Sequence, residues 1–187
     1  MARTGRRVSD DRTVLRDEPH DGVRWLNADE QATWRALLLC YQLLDEALDR
    51  QLQHDAGMPH SHYAIIAALS EAPGSAMRMS ELAAMLRFSP SRMTHAVASL
   101  ERKGWAARAR CPEDGRGQFA ALTAHGRMVL ERAAPGHIAE VRRRIFDRLT
   151  STQQRQLRGI CDTILDGLDP SSHASPHRPT RISDTSA

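Results

Sequence analysis

Apolar positions along this chain recur with two different periods. Trp34, Leu37, Leu38, Tyr41, Leu44 and Leu48 follow a helical spacing. The spacing predicts a long helix that starts near Asn27. Asn27 is a capping residue, and Glu30 three positions on completes a box-like pair. Leu39, Cys40 and Leu43 make the middle of this helix apolar on nearly every side. Such a helix needs cover on more than one face, which a second subunit would supply. Gly57-Met58-Pro59 stops it. A second helical stretch after Pro59 carries Tyr63, Ile66 and Leu69, and Ala72-Pro73-Gly74-Ser75 breaks it. A short helix over Ser80–Leu86 carries Leu82, Met85 and Leu86, and Phe88 ends it. Ser89 as cap and Pro90 at the first helical position start another, which runs to about Lys103 and stops at Gly104.

After Gly104 the period changes. Trp105-Ala-Ala-Arg-Ala-Arg alternates, placing Arg108 and Arg110 on one face of a strand. Cys111–Gly117 reads as a turn-rich tip and Gln118–Leu122 as the returning strand. Thr123 caps a further helix, expected to reach Leu149 with a disturbance at Ala134-Pro135-Gly136. Thr150 with Gln153 caps the last helix, which carries Leu157, Ile160, Ile164 and Leu168. Residues 1–24 alternate Arg with Asp and Glu, and residues 170–187 are rich in Pro and Ser; both read as flexible tails. The expected fold class is mainly α with a small β-hairpin wing: a winged helix-turn-helix lobe plus further helices.

Composition narrows the function. The chain has 187 residues, 41% of them apolar, but no run nears the roughly 18 apolar residues of a membrane span. No apolar stretch follows the charged start Met1–Arg7, so no secretory signal is expected. Cys40, Cys111 and Cys161 lie far apart, which speaks against a disulfide framework and for a reducing, cytoplasmic setting. Aromatics at 4% are too few for single-strand stacking platforms. The net charge of +3 hides an asymmetry: residues 25–55 carry −4, residues 78–127 carry +5. That basic segment is the footprint of a polyanion binder. Lys103 is the one lysine; all other side-chain cations of Lys/Arg type are arginine, whose fork suits phosphate and guanine edges.

In the helix after Ser89, Met93, Ala96, Val97 and Leu100 form the core stripe. The opposite face shows Ser91, Arg92, His95 and Ser99, with Thr94 at its edge. Short polar side chains allow close approach to a groove, while Arg92 and His95 reach base edges or phosphates. At the hairpin tip, Asp114 is placed to hold Arg116, which sits between two glycines and suits a minor groove. Arg108 and Arg110, higher on the ribbon, suit phosphates.

Taken together, Met79-Ser-Glu-Leu-Ala83, Ser91-Arg-Met-Thr94, Leu100-Glu-Arg-Lys-Gly-Trp105, Arg108, Asp114-x-Arg116 and Leu122-Thr-x-x-Gly126 resemble the MarR family of bacterial transcription regulators over about residues 28–168. The resemblance implies a homodimer with helices from the first and last thirds intertwined, and two winged lobes reading a palindrome in double-stranded DNA. It divides the chain into a tail (1–24), an N-terminal dimerisation helix (25–56), a winged lobe (57–126), C-terminal dimerisation helices (127–169) and a second tail (170–187). Ser91, Arg92, Thr94 and His95 match recognition-helix positions, and Asp114 and Arg116 the wing pair. Gly115 departs from the pattern, since many members carry a basic residue there. The resemblance also implies a repressor released by a small aromatic or phenolic effector, with Trp34, Tyr41, His62, Tyr63, Ile66 and Phe88 as candidate lining. Cys40, expected to be buried, and Cys111, expected to be exposed, are the candidates if control is by oxidation instead. A winged-helix adaptor that binds protein remains the other alternative. No catalytic constellation, metal set or cofactor motif stands out, so neither enzymatic activity nor a cofactor is expected.

Overall fold

The computed structural model describes residues 22–110 and 118–169. Its elements are α1 (Ala28–Ala56), α2 (His60–Glu71), β1 (Ala76–Arg78), α3 (Met79–Met85), α4 (Pro90–Arg102), β2 (Ala106–Arg110), β3 (Gln118–Leu122), α5 (Ala124–Arg144) and α6 (Ser151–Leu168), with short 3-10 turns at Pro73–Ser75 and Phe146–Arg148. Residues 1–21 of the first expected tail, the whole of the second and the hairpin tip lie outside the described residues, whereas Arg24, at the end of the first tail, pairs with Glu30. Two compact units divide within α1, the first ending at Gln42 and the second starting at Leu43.

In the first unit the expected cap is formed reciprocally. The Glu30 amide donates to Asn27 Oδ1 at 2.9 Å, and the Asn27 amide donates to Glu30 Oε2 at 2.9 Å. Trp34, Leu37, Leu38, Leu39 and Tyr41 are all exposed. Cys40 is exposed as well, not buried as its apolar surroundings suggested. Apolar neighbours in sequence bury a thiol only when something covers their shared face.

The second unit has a packed core. Leu52, Met58, Ile65, Ile66, Leu69, Leu82, Met93, Val97 and Leu100 are almost wholly withdrawn from solvent. They come from the end of α1, from α2, α3 and α4, and from the Met58 turn. The antiparallel sheet has the order β1-β3-β2, with Met77 opposite Ala120 and Arg108 opposite Ala120 on the other side. Strand β1 was not anticipated. Three residues are too few to display an alternating period, and its pairing with β3 is a tertiary event. Gly126, in the first turn of α5, is required by close approach: a Cβ there would lie 2.0 Å from the Trp105 carbonyl oxygen.

Two expectations for α5 are corrected. The helix runs unbroken through Pro135, although that residue lacks the N–H that would reach back to Glu131. It also ends at Arg144 rather than Leu149, because the chain tightens there into a 3-10 turn, with the Leu149 amide donating to Phe146 O. Helix α6 begins with the expected Thr150–Gln153 capping box. No residue of α6 is buried: Leu157, Ile160, Ile164, Leu165 and Leu168 all face outward.

Candidate nucleic-acid interface

The turn between α3 and α4 sets the position of the candidate reading helix. The Phe88 amide donates to Ala83 O (2.9 Å) and the Arg87 amide to Ala84 O (3.2 Å), the paired bonds of a Schellman stop. Arg87 occupies the left-handed position at φ 54°, where glycine is usual. Its guanidinium is paired with Asp169 at the end of α6. Two residues after Arg87, Ser89 caps α4, its Oγ accepting the Arg92 amide at 3.3 Å, and Pro90 fills the first turn.

This start fixes which way α4 faces. Met93, Val97 and Leu100 are buried, whereas Ser91, Arg92, Thr94 and His95 are exposed on the other side. Ser99 is half-buried and Ser89 exposed. The Thr94 hydroxyl donates to Pro90 O at 2.8 Å. The Arg92 guanidinium lies over the Phe88 ring, 4.0 Å from its centroid.

Gly104, at φ 70°, then ends α4 and turns the chain into β2. Glu101 accepts from both the Arg108 amide (2.8 Å) and Arg108 Nε (2.6 Å). This carboxylate bolts the first wing strand to the last turn of α4. Arg108 is therefore held at the base of the wing and spends part of its charge on Glu101. Arg110 pairs through its backbone with Gln118. Cys111, Asp114 and Arg116 lie outside the described residues. Lys103 stacks on Trp105 (4.5 Å) and donates to Gly57 O (3.0 Å). Glu101 and Phe88 are supports that the sequence did not single out in these roles. Their signal is spacing: four residues from Phe88 to Arg92, and seven across a glycine turn from Glu101 to Arg108.

A separate cavity of about 280 Å³ opens beside α2, lined by His60, Tyr63, Ala67, Glu71, Leu86 and His137, among others. The His137 ring stands 4.3 Å from Tyr63 and 5.5 Å from His60. Burial, and then the charge of His60, push the His137 pKa down to about 4. Its Nδ1 is buried, with no hydrogen-bond partner among the described residues. His60 is tied to α1, its amide donating to Asp49 (2.8 Å) and its Nδ1 lying 3.0 Å from Asp45. Burial pushes the Tyr63 hydroxyl up, and the Glu71 carboxylate adds to this.

The six expected effector-lining residues divide between the two units, Trp34 and Tyr41 in the first and His62, Tyr63, Ile66 and Phe88 in the second. Tyr63 lines this cavity. His62 and Ile66 are buried, and burial followed by the charge of Lys103 pushes the His62 pKa down. Phe88 underlies Arg92 instead, and Trp34 and Tyr41 stand exposed in the first unit. Among the described residues no group of three or more His, Cys, Asp or Glu side chains is placed to hold a metal, and no helix is long and apolar enough to cross a membrane.

Comparison with known proteins places this geometry. The MarR family model matches residues 56–117. The crystal structure of Sco3205, a MarR family transcriptional regulator from Streptomyces coelicolor in complex with DNA, is 50% identical over 81% of this chain and 95% of that one, with a TM-score of 0.78. AbsC, a MarR family transcriptional regulator from the same organism, is 37% identical over 78% of this chain and 98% of its own, with a TM-score of 0.75. A mutant MarR from E. coli complexed with operator DNA shares the fold at 19% identity and a TM-score of 0.66, over 75% of this chain and 99% of that one. No curated protein matches. On the matched winged lobe and the identity to Sco3205, this chain belongs to the MarR family of transcriptional regulators.

Proposed function

We propose that this protein is a sequence-specific regulator that binds double-stranded DNA as a homodimer, acting as a repressor that a small aromatic ligand releases. The carrying observation is α4, whose inner face is sealed in the core while Ser91, Arg92, Thr94 and His95 stand outward beside a basic hairpin. Short polar side chains next to an arginine are what major-groove reading requires. The Glu101 bolt holds helix and wing in one orientation, so that one docking event engages both. The DNA complex of Sco3205, at 50% identity, supports the same use here.

Pairing of two copies is supported by the outward stripe of α6, which has the regularity of a buried face and no cover among the described residues. Two lobes related by a twofold axis select a pseudo-palindrome with half-sites about one helical turn apart. The cavity beside α2 supports effector binding: a neutral His137 offers a ring nitrogen to a phenolic O–H, and Tyr63 offers an aromatic wall. DNA titration at several salt concentrations tests the reading. Affinity falls steeply with salt, and Arg116→Ala, at the hairpin tip, lowers the slope by about one unit. An unchanged slope removes the wing contact from the account.

A further inference from the structure

The exposed arginines of the interface are held in different ways. Arg108 is fixed by the Glu101 carboxylate, which consumes part of its charge and two of its neighbouring donors. No carboxylate among the described residues pairs with Arg92; its guanidinium lies over the face of Phe88, 4.0 Å from the ring centroid. A stacked guanidinium keeps its in-plane N–H groups available, because the ring attracts it through the π face. Those in-plane donors are the ones that grip guanine O6 and N7 in the major groove.

The backbone makes this stack a built feature. The Schellman bonds of Phe88 and Arg87 fix where the chain leaves α3. Ser89 then caps α4 through the Arg92 amide itself, so ring and guanidinium spring from the two ends of one capping turn. Phe88 is half-buried and packs against the core that contains Met93, so the ring is held from below. Phe88 and Met93 occupy the positions of a hydrophobic staple, which any apolar residue at 88 would satisfy. An aromatic ring there does something more.

We propose that Phe88 is a positioning residue for DNA reading: its ring holds the Arg92 side chain, before DNA arrives, in an orientation that presents its donors to a guanine edge. This rests on the DNA-binding reading above. Holding a long side chain in advance removes part of the conformational entropy that binding otherwise loses. The prediction is therefore in affinity and base choice together, not in affinity alone.

The test uses the full chain and a duplex recovered from a random-sequence pool with the wild-type protein. Phe88→Leu keeps the apolar staple and removes the π face. It is expected to fold, by circular dichroism, and to bind about three- to fivefold more weakly. Phe88→Tyr retains wild-type affinity. In an Arg92→Ala background, Phe88→Leu has no further effect, and a repeated selection shows Phe88→Leu relaxing the same base position that Arg92→Ala relaxes. If Phe88→Leu folds poorly, Phe88→Met serves in the same cycle. Overturning results are wild-type affinity and base preference in Phe88→Leu, or an equal loss with and without Arg92. If the wild-type protein enriches no duplex at all, the DNA-binding reading itself falls and takes this inference with it; the Phe88 variants alone overturn only the latter.

Discussion

Helices α4 and α6 carry equally regular apolar stripes and meet different fates. In α4 the stripe Met93, Val97, Leu100 is sealed within its own lobe. In α6 the stripe Leu157, Ile160, Ile164, Leu168 stays exposed, and no residue of that helix is buried. Periodicity states that a face is to be covered; it does not state by what. The first helix is completed by its own chain, while the second is proposed to await another copy. Oligomerisation and DNA reading would then be carried by different surfaces, and each can be damaged separately.

The largest effect expected is in the sealed core. Leu100→Ala removes a fully buried side chain and is expected to cost about 2–5 kcal/mol of stability, read as a lowered melting temperature. A substitution in the other stripe separates the two helices. Ile160→Asp, on a residue 57% exposed in the protomer, is expected to leave the lobe folded and to shift sedimentation from dimer to monomer. Loss of the lobe's fold in Ile160→Asp would mean that α6 is not a separate association surface.

A smaller effect is expected where the wing is bolted to α4. Glu101→Gln weakens a partly exposed ion pair and a charge-assisted bond to the Arg108 amide, worth about 1 kcal/mol. Amide exchange in β2 should quicken while exchange in α2 does not. Equal exchange in both proteins would show that the wing needs no such anchor.

The pH response should be the mildest. His137 has a folded pKa pushed from 6.5 to about 4, so the unfolded chain takes up its proton first as the pH falls. Its contribution to stability is complete above pH 6.5 and is lost as the pH drops from there towards 4. His62 is shifted in the same direction by burial. Melting temperatures measured across that window should decline in the wild type and decline less in His137→Asn. Parallel declines would remove His137 as a source.

Local chemistry made much of the fold legible in sequence. Ser89 with Pro90, Thr150 with Gln153, Asn27 with Glu30 and the stop at Gly104 all act within a few residues of themselves, and each marks the element boundary it suggested. Features that depend on distant partners were not legible. Strand β1 exists because β3 lies beside it. Cys40 is exposed because none of the described residues covers it. Among the candidate site residues, the outward face of α4 followed from helical period alone. Phe88 was grouped with pocket aromatics, since its place beneath Arg92 depends on a left-handed Arg87 that no propensity foretells. The cavity took Tyr63 from that group and added His60 and His137, which lie far apart in sequence.

The most direct test of the central claim is a selection of duplexes by the full chain, followed by measurement of the stoichiometry of the complex and its salt dependence. The account predicts enrichment of a pseudo-palindrome with half-sites about one helical turn apart, two protomers per site, and affinity that falls steeply as salt rises. A well-folded protein that enriches no duplex even at low salt would contradict it.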